Sequence, residues 1–170
     1  MRVGIIHLIL FFVYVFVQVL LLKNLVLFNV AFCFAYVAFI LLLPVEISTV
    51  MIMLIGFSIG FTIDVFYSSM GLHAFTSVLT AYLRNYWLKV ITPQGGYDVG
   101  VSPTLSTYGV SWFLVYFVPL VFIHLTVLFF LEASGFSMAG YTLLKIFSSL
   151  LFTTLVVFLF QFMVPNRRKL

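Results

Sequence analysis

The chain has 170 residues, of which 65% are hydrophobic and 7% charged, whereas a soluble domain carries roughly a quarter charged residues. So few polar groups cannot cover the surface of a water-soluble fold of this size, which makes lipid the expected solvent. The formal charge of +4 is scattered until Arg167, Arg168 and Lys169, which excludes a nucleic-acid footprint, and Cys33, the single cysteine, excludes an internal disulfide and a cysteine-based metal site.

A helix needs about 20 apolar residues to cross a hydrocarbon layer of about 30 Å. Six runs of that kind predict an all-α polytopic membrane protein, a single six-helix transmembrane domain over 1–170. The first run, Gly4 to Leu22, follows Arg2; it is too long for a signal-peptide core and lacks a small-x-small cleavage site, so it is read as a retained helix. Lys23 and Asn24 separate it from the second, Leu25 to Leu43, which Pro44 and Glu46 end. The third extends from Ile47 to Phe66, and a turn through Ser68, Ser69 and Gly71 leads to the fourth, Leu72 to Ile91. The one long polar stretch, 92–109, is rich in Gly, Pro and Ser, as loops are. The fifth run, Val110 to Leu131, is joined by the turn Glu132 to Ser137 to the sixth, Met138 to Val164, and a basic tail occupies 165–170.

Short loops rich in Lys and Arg stay in the cytoplasm. With the N-terminus inside, the inner side collects Arg2, Arg84, Lys89, Arg167, Arg168 and Lys169, the outer side keeps Lys23, and Lys145 falls inside the sixth run. Both termini are therefore expected in the cytoplasm. No repeat relates the first three runs to the last three, so the inverted repeat of many secondary transporters is missing.

At 100° per residue, polar residues of four runs fall on single stripes. These are His7, Tyr14 and Gln18 in the first; Asn29, Cys33 and Tyr36 in the second; His73, Ser77, Thr80 and Arg84 in the fourth; and Tyr141, Lys145 and Ser148 in the sixth. Such stripes should face protein, either as hydrogen bonds between helices or as the lining of a solute cavity. In the third run Gly56, Gly60 and Asp64 recur every four residues, so a close-packing glycine pair and a carboxylate share one ridge. Asp64, the one acidic residue inside a run, has three readings: a carboxylate bonded to the turn before Gly71, a proton relay, or a contact to a partner. His7, His73 and His124 lie in three different runs, and no nucleophile, HExxH or phosphate-loop motif accompanies them. Neither catalysis nor a cofactor or metal is expected.

The run from Gly56 to Arg84, GFSIGFTIDVFYSSMGLHAFTSVLTAYLR, resembles the central signature of MreD, the rod shape-determining membrane protein family. A glycine-bearing helix ends in an Asp, a small-residue turn leads to a Gly, and the next helix closes on Ala-Tyr-Leu. Here these are Gly56, Gly60, Asp64, Gly71, Ala81, Tyr82 and Leu83. The resemblance covers about thirty residues. It implies a non-enzymatic component of cell-wall elongation in the bacterial cytoplasmic (inner) membrane. Such a component would bind the single-span protein MreC and help couple cytoplasmic MreB filaments to RodA and its transpeptidase partner in peptidoglycan synthesis. The expected helix-packing and partner interface is Gly56, Gly60, Asp64, Gly71, His73, Ser77, Thr80 and Arg84. The family is also similar in architecture to the substrate-binding subunits of energy-coupling-factor vitamin transporters, which leaves a vitamin-binding subunit as the alternative.

Overall fold

The computed structural model describes residues 2–98, 100–133 and 139–163, with side chains from residue 5 onward. The basic tail 165–170, the turn residues 134–137 and both ends of the sixth run, Met138 and Val164, lie outside the described residues.

Six α-helices make up most of the described backbone: α1 (Arg2–Phe16), α2 (Tyr36–Leu41), α3 (Thr49–Tyr67), α4 (Leu72–Val90), α5 (Leu105–Glu132) and α6 (Ala139–Met163). No β-strand occurs among the described residues. Four helical stretches are long and apolar enough to cross a membrane: Ile5–Leu22, α3, α5 and α6. α4 matches α3 at 19 residues, but its buried polar face lowers its hydropathy below theirs. α1 runs on through wider π-type turns at Val17–Leu22, where the Lys23 amide bonds the carbonyl of Gln18, five residues back, at 2.8 Å. This widening accompanies a fully buried Gln18.

The second expected helix, Leu25 to Leu43, is not there as such. Phe28 and Asn29 adopt positive φ (53° and 58°) in a turn closed by the Leu27–Ala31 pair, residues 32–34 belong to no helix or strand, and only Tyr36–Leu41 is helical. Hydropathy measures burial and is blind to who satisfies the backbone, and here side chains of neighbouring helices do so. Ser149 accepts from the Phe32 amide (2.9 Å), Thr153 from the Phe34 amide (3.1 Å), and Gln18 both donates to the Cys33 carbonyl (2.9 Å) and accepts from the Tyr36 amide (3.3 Å). Non-helical backbone at membrane depth is tolerated only when buried in protein with its polar groups paired. Every residue of α2 is accordingly buried at the centre of the bundle.

α3 and α4 form the closest helix pair, α5 packs on α4, and α6 packs on α5. α5 starts at Leu105, before the expected Val110, and changes direction at Gly109 (φ 82°). Pro119 inside α5 has no amide proton to give the carbonyl four residues back. That carbonyl, on Val115, instead accepts from the Trp87 indole of α4 at 3.0 Å.

Two expected stripes are corrected by this packing. Asn29, Cys33 and Tyr36 do not share a helix face, because Asn29 sits in an exposed turn. In α6 the inward face carries Thr142, Ser149, Thr153 and Gln161, while Tyr141 is exposed and Ser148 bonds only the Leu144 carbonyl of its own helix. Lys145 lies among the rings of Phe32, Phe129 and Tyr141 with Glu132 at 3.8 Å. A count along one helix finds polar stripes, but the neighbouring element decides which stripe is buried.

Candidate functional site

The α3–α4 seam is built on glycine. A Cβ on Gly60 would stand 2.5 Å from the His73 carbonyl oxygen and 2.6 Å from the Ala74 Cα, so no side chain fits between the two backbones. On Gly56 it would meet the Ser77 carbonyl oxygen at 3.1 Å and the Ala81 Cβ at 3.3 Å. Two glycines four apart thus bring α4 against α3 along two turns. Gly71 serves conformation instead: its φ of 86° ends the turn, and nothing lies within 4 Å of where a Cβ would be.

This close approach delivers Asp64 to the start of α4. Its Oδ1 accepts from the Ser69 hydroxyl (2.6 Å), the His73 amide (3.0 Å) and the His73 ring Nδ1 (3.0 Å), and its Oδ2 accepts from the Ala74 amide (2.8 Å). The first amides of a helix have no partner within it and carry the positive end of its dipole. Asp64 is therefore an N-terminal cap supplied from the preceding helix. The Ser69 proton is committed to Asp64, so the His73 Nδ1, which faces both oxygens, must carry its own proton.

Below this cap the inward face of α4 forms a polar column. Thr80 donates to the Thr76 carbonyl (2.8 Å), so the His124 Nδ1 at 3.0 Å must donate to Thr80, and its Nε2 accepts from the Tyr36 hydroxyl at 2.9 Å. Arg84, 0% exposed, ends the column. Its guanidinium donates to the carbonyls of Leu41, Leu43 and Pro44 and to the Tyr116 hydroxyl, which itself donates to Leu41 (2.7 Å). Among the described residues no carboxylate lies within ion-pair distance of Arg84. The carbonyls where α2 ends, the negative pole of that helix, face the charge instead. Arg84 is thus a buried brace rather than a residue of an inner loop. Two atoms of the column stay unpaired among the described residues, His73 Nε2 and Ser77 Oγ.

All eight expected site residues therefore lie along the α3–α4 seam, its turn and the inward face of α4. The sequence singled out neither Ser69, Thr76 and Tyr116 nor the α6 hydroxyls Ser149 and Thr153 as site residues. The spacing of Thr142, Ser149 and Thr153 at seven and four was the available signal for the last two.

The chemistry this arrangement permits is limited. In a nucleophilic relay the histidine stands between carboxylate and hydroxyl, whereas Ser69 and Asp64 here contact the same ring nitrogen and each other. No three metal-binding side chains come together among the described residues. A cavity of about 140 Å³ opens beside His73, walled by Phe32, Phe34, Tyr67, Leu128 and Phe129 with Glu132 at its rim.

The chain matches no protein-family model, no curated protein and no solved structure.

Proposed function

We propose that the protein is a non-enzymatic scaffold of the MreD type in the bacterial cytoplasmic membrane, crossing it six times with both termini in the cytoplasm. The observation that carries this reading is the use made of its polar residues. Asp64, Ser69, Thr80, His124, Arg84 and Gln18 are all engaged in holding helix to helix or helix to unwound chain. Such a bundle acts through its shape. In lipid, association rests on close packing and interhelical hydrogen bonds.

Two ends support six crossings. Lys23 donates to the Phe66 carbonyl (2.6 Å) and Tyr141 to the Asn29 carbonyl (3.3 Å), which gathers the ends of α1 and α3 with the start of α6. Trp112 donates to the Ile91 carbonyl (3.1 Å) and the Val45 amide to the Val101 carbonyl (3.4 Å), which gathers the end of α4 with the start of α5 and the segment before α3. The partly unwound segment 25–43 is then the second crossing and α4 the fourth.

In this role the protein binds an MreC-like single-span partner and, through it, RodA, its transpeptidase and MreB. The vitamin-binding alternative is disfavoured by the volume beside the polar column: the cavity at His73 encloses about 140 Å³, against roughly 300 to 1,000 Å³ for sites that enclose drug-sized ligands. Co-purification tests the reading: a single-span protein should be recovered with the chain, and vitamins should leave its thermal stability unchanged. A saturable stabilisation by one vitamin, which mass action demands of any ligand of the folded state, would overturn it.

A further inference from the structure

The cavity beside His73 is walled by rings and by hydrogen-bond acceptors. Phe32, Phe34, Tyr67 and Phe129 supply the rings, and His73 and Glu132 supply acceptors. It lies at an end of the bundle, where α3 gives way to α4 and α5 finishes. His73 is 5% exposed, and its Nε2 is buried with no partner among the described residues. Because Nδ1 holds its proton toward Asp64, Nε2 is an acceptor in want of a donor. Three of the four rings already bear an ammonium group of the chain itself: Lys145 Nζ stands 5.3 Å from the centre of Phe32 and 5.5 Å from that of Phe129, and Lys23 Nζ stands 5.2 Å from that of Tyr67.

We propose that this cavity binds a primary ammonium group on a short alkyl stem, the nitrogen donating to His73 Nε2 among the rings while Glu132 at the rim opposes its charge. The chemistry of the walls selects the ligand. Aromatic rings attract a cation through their quadrupoles, the principle of the aromatic cage, and the chain's own lysines show that these rings accept ammonium groups. An anion would meet Glu132 and a nitrogen lone pair instead. Behind the ring, Asp64 accepts from Ser69, His73 and Ala74 and from no lysine or arginine among the described residues, so its charge favours a cation at the other ring nitrogen. Water satisfies Nε2 but leaves its remaining bonds facing Phe32, Phe34, Leu72, Leu128 and Phe129. A volume of about 140 Å³, at roughly 30 Å³ for each water-sized group, holds an ammonium with about three or four further atoms. The position at an end of the bundle keeps that charge out of the deep hydrocarbon, where it is costly. A free alkylamine and the ethanolamine headgroup of a phospholipid share this chemistry.

The test is thermal unfolding of the full chain in bilayer discs of phosphatidylcholine, whose quaternary headgroup has no N–H to donate. In one arm n-propylammonium chloride is titrated; in the other phosphatidylethanolamine replaces part of the phosphatidylcholine. A ligand of the folded state raises stability by mass action, so at least one arm should show a saturable rise, and tetramethylammonium chloride at the same concentrations should give a clearly smaller one. A rise in the first arm assigns a free amine, and a rise in the second alone assigns the lipid headgroup. Glu132→Gln should weaken the apparent affinity about threefold, the scale of a half-exposed ion pair. Lys145→Met should tighten it about threefold, because Glu132 and two rings are released to the ligand, a gain that misfolding does not produce. No rise in either arm, an equal rise with tetramethylammonium, or an affinity unchanged in both variants would overturn the proposal.

Discussion

At Asp64 both carboxylate oxygens are used, and the Ala74 amide has only Oδ2 as its acceptor. Asparagine can keep the Oδ1 bonds but must then present an NH₂ to that amide. Asp64→Asn should therefore cost about 1 to 3 kcal/mol, the penalty of a buried donor left unpaired, and Asp64→Leu clearly more. Thermal unfolding of the purified chain should rank wild type above Asn above Leu; equal stability of wild type and Leu would show that the cap contributes nothing. The glycines give a second ranking. Gly60→Ala drives a methyl into the α4 backbone at 2.5 Å, while Gly56→Ala meets its nearest atom at 3.1 Å. Gly60→Ala should be the worse, by about 1 to 3 kcal/mol, and cell-shape complementation at matched membrane levels should fail for Gly60→Leu. Indifference to Gly60→Ala would mean that α3 and α4 do not touch there.

The unwound second segment makes a prediction about elements. Thr153→Val keeps the shape of the side chain but strips the Phe34 amide of its acceptor, and an unpaired backbone group buried away from water costs about 1 to 3 kcal/mol. Ser148→Ala, on the same helix, removes a hydroxyl bonded only to its own backbone and should change stability little. Similar melting shifts for the two would sink the idea that α6 holds the unwound segment. The junction of α4 and α5 yields a double-mutant cycle. Trp87→Phe leaves the Val115 carbonyl unpaired, and Pro119→Ala supplies the missing helix amide. Trp87→Phe should be measurably less damaging in the Pro119→Ala background, by about 1 kcal/mol; additive effects would show that the indole bond does not replace the helix bond.

For the whole molecule the testable quantity is topology. The proposed six crossings would place the 91–104 connection and the C-terminus on the same side, so reporters fused after Gly96 and after Leu170 should both report cytoplasm. An external signal from either would remove the six-crossing arrangement and with it the proposed attachment to a cytoplasmic filament system. Arg84 bears on the same count in an unexpected way. Its charge is spent inside the bundle on the carbonyls where α2 ends, so the proposed orientation draws on Arg2, Lys89 and the basic residues of the tail sequence rather than on it.

Sequence alone determined the lipid solvent, the placement of α1, α3, α4 and α6 to within a few residues, and the glycine–aspartate ridge, because each depends on composition or on spacing along one helix. The direction of the α4 stripe was legible too, since His73, Ser77, Thr80 and Arg84 are all buried. Tertiary structure alone decided that 25–43 unwinds, that Tyr141 and Ser148 lie off the inward face of α6, and that Asp64 spends its charge on the backbone of the next helix. In each case the deciding partner is distant in sequence or belongs to another element: Ser149 and Thr153 for Phe32 and Phe34, Trp87 for the carbonyl freed by Pro119, Leu41 and Leu43 for Arg84. A backbone group in hydrocarbon must be paired, but the side chain that pairs it is fixed by packing, which local pattern does not encode.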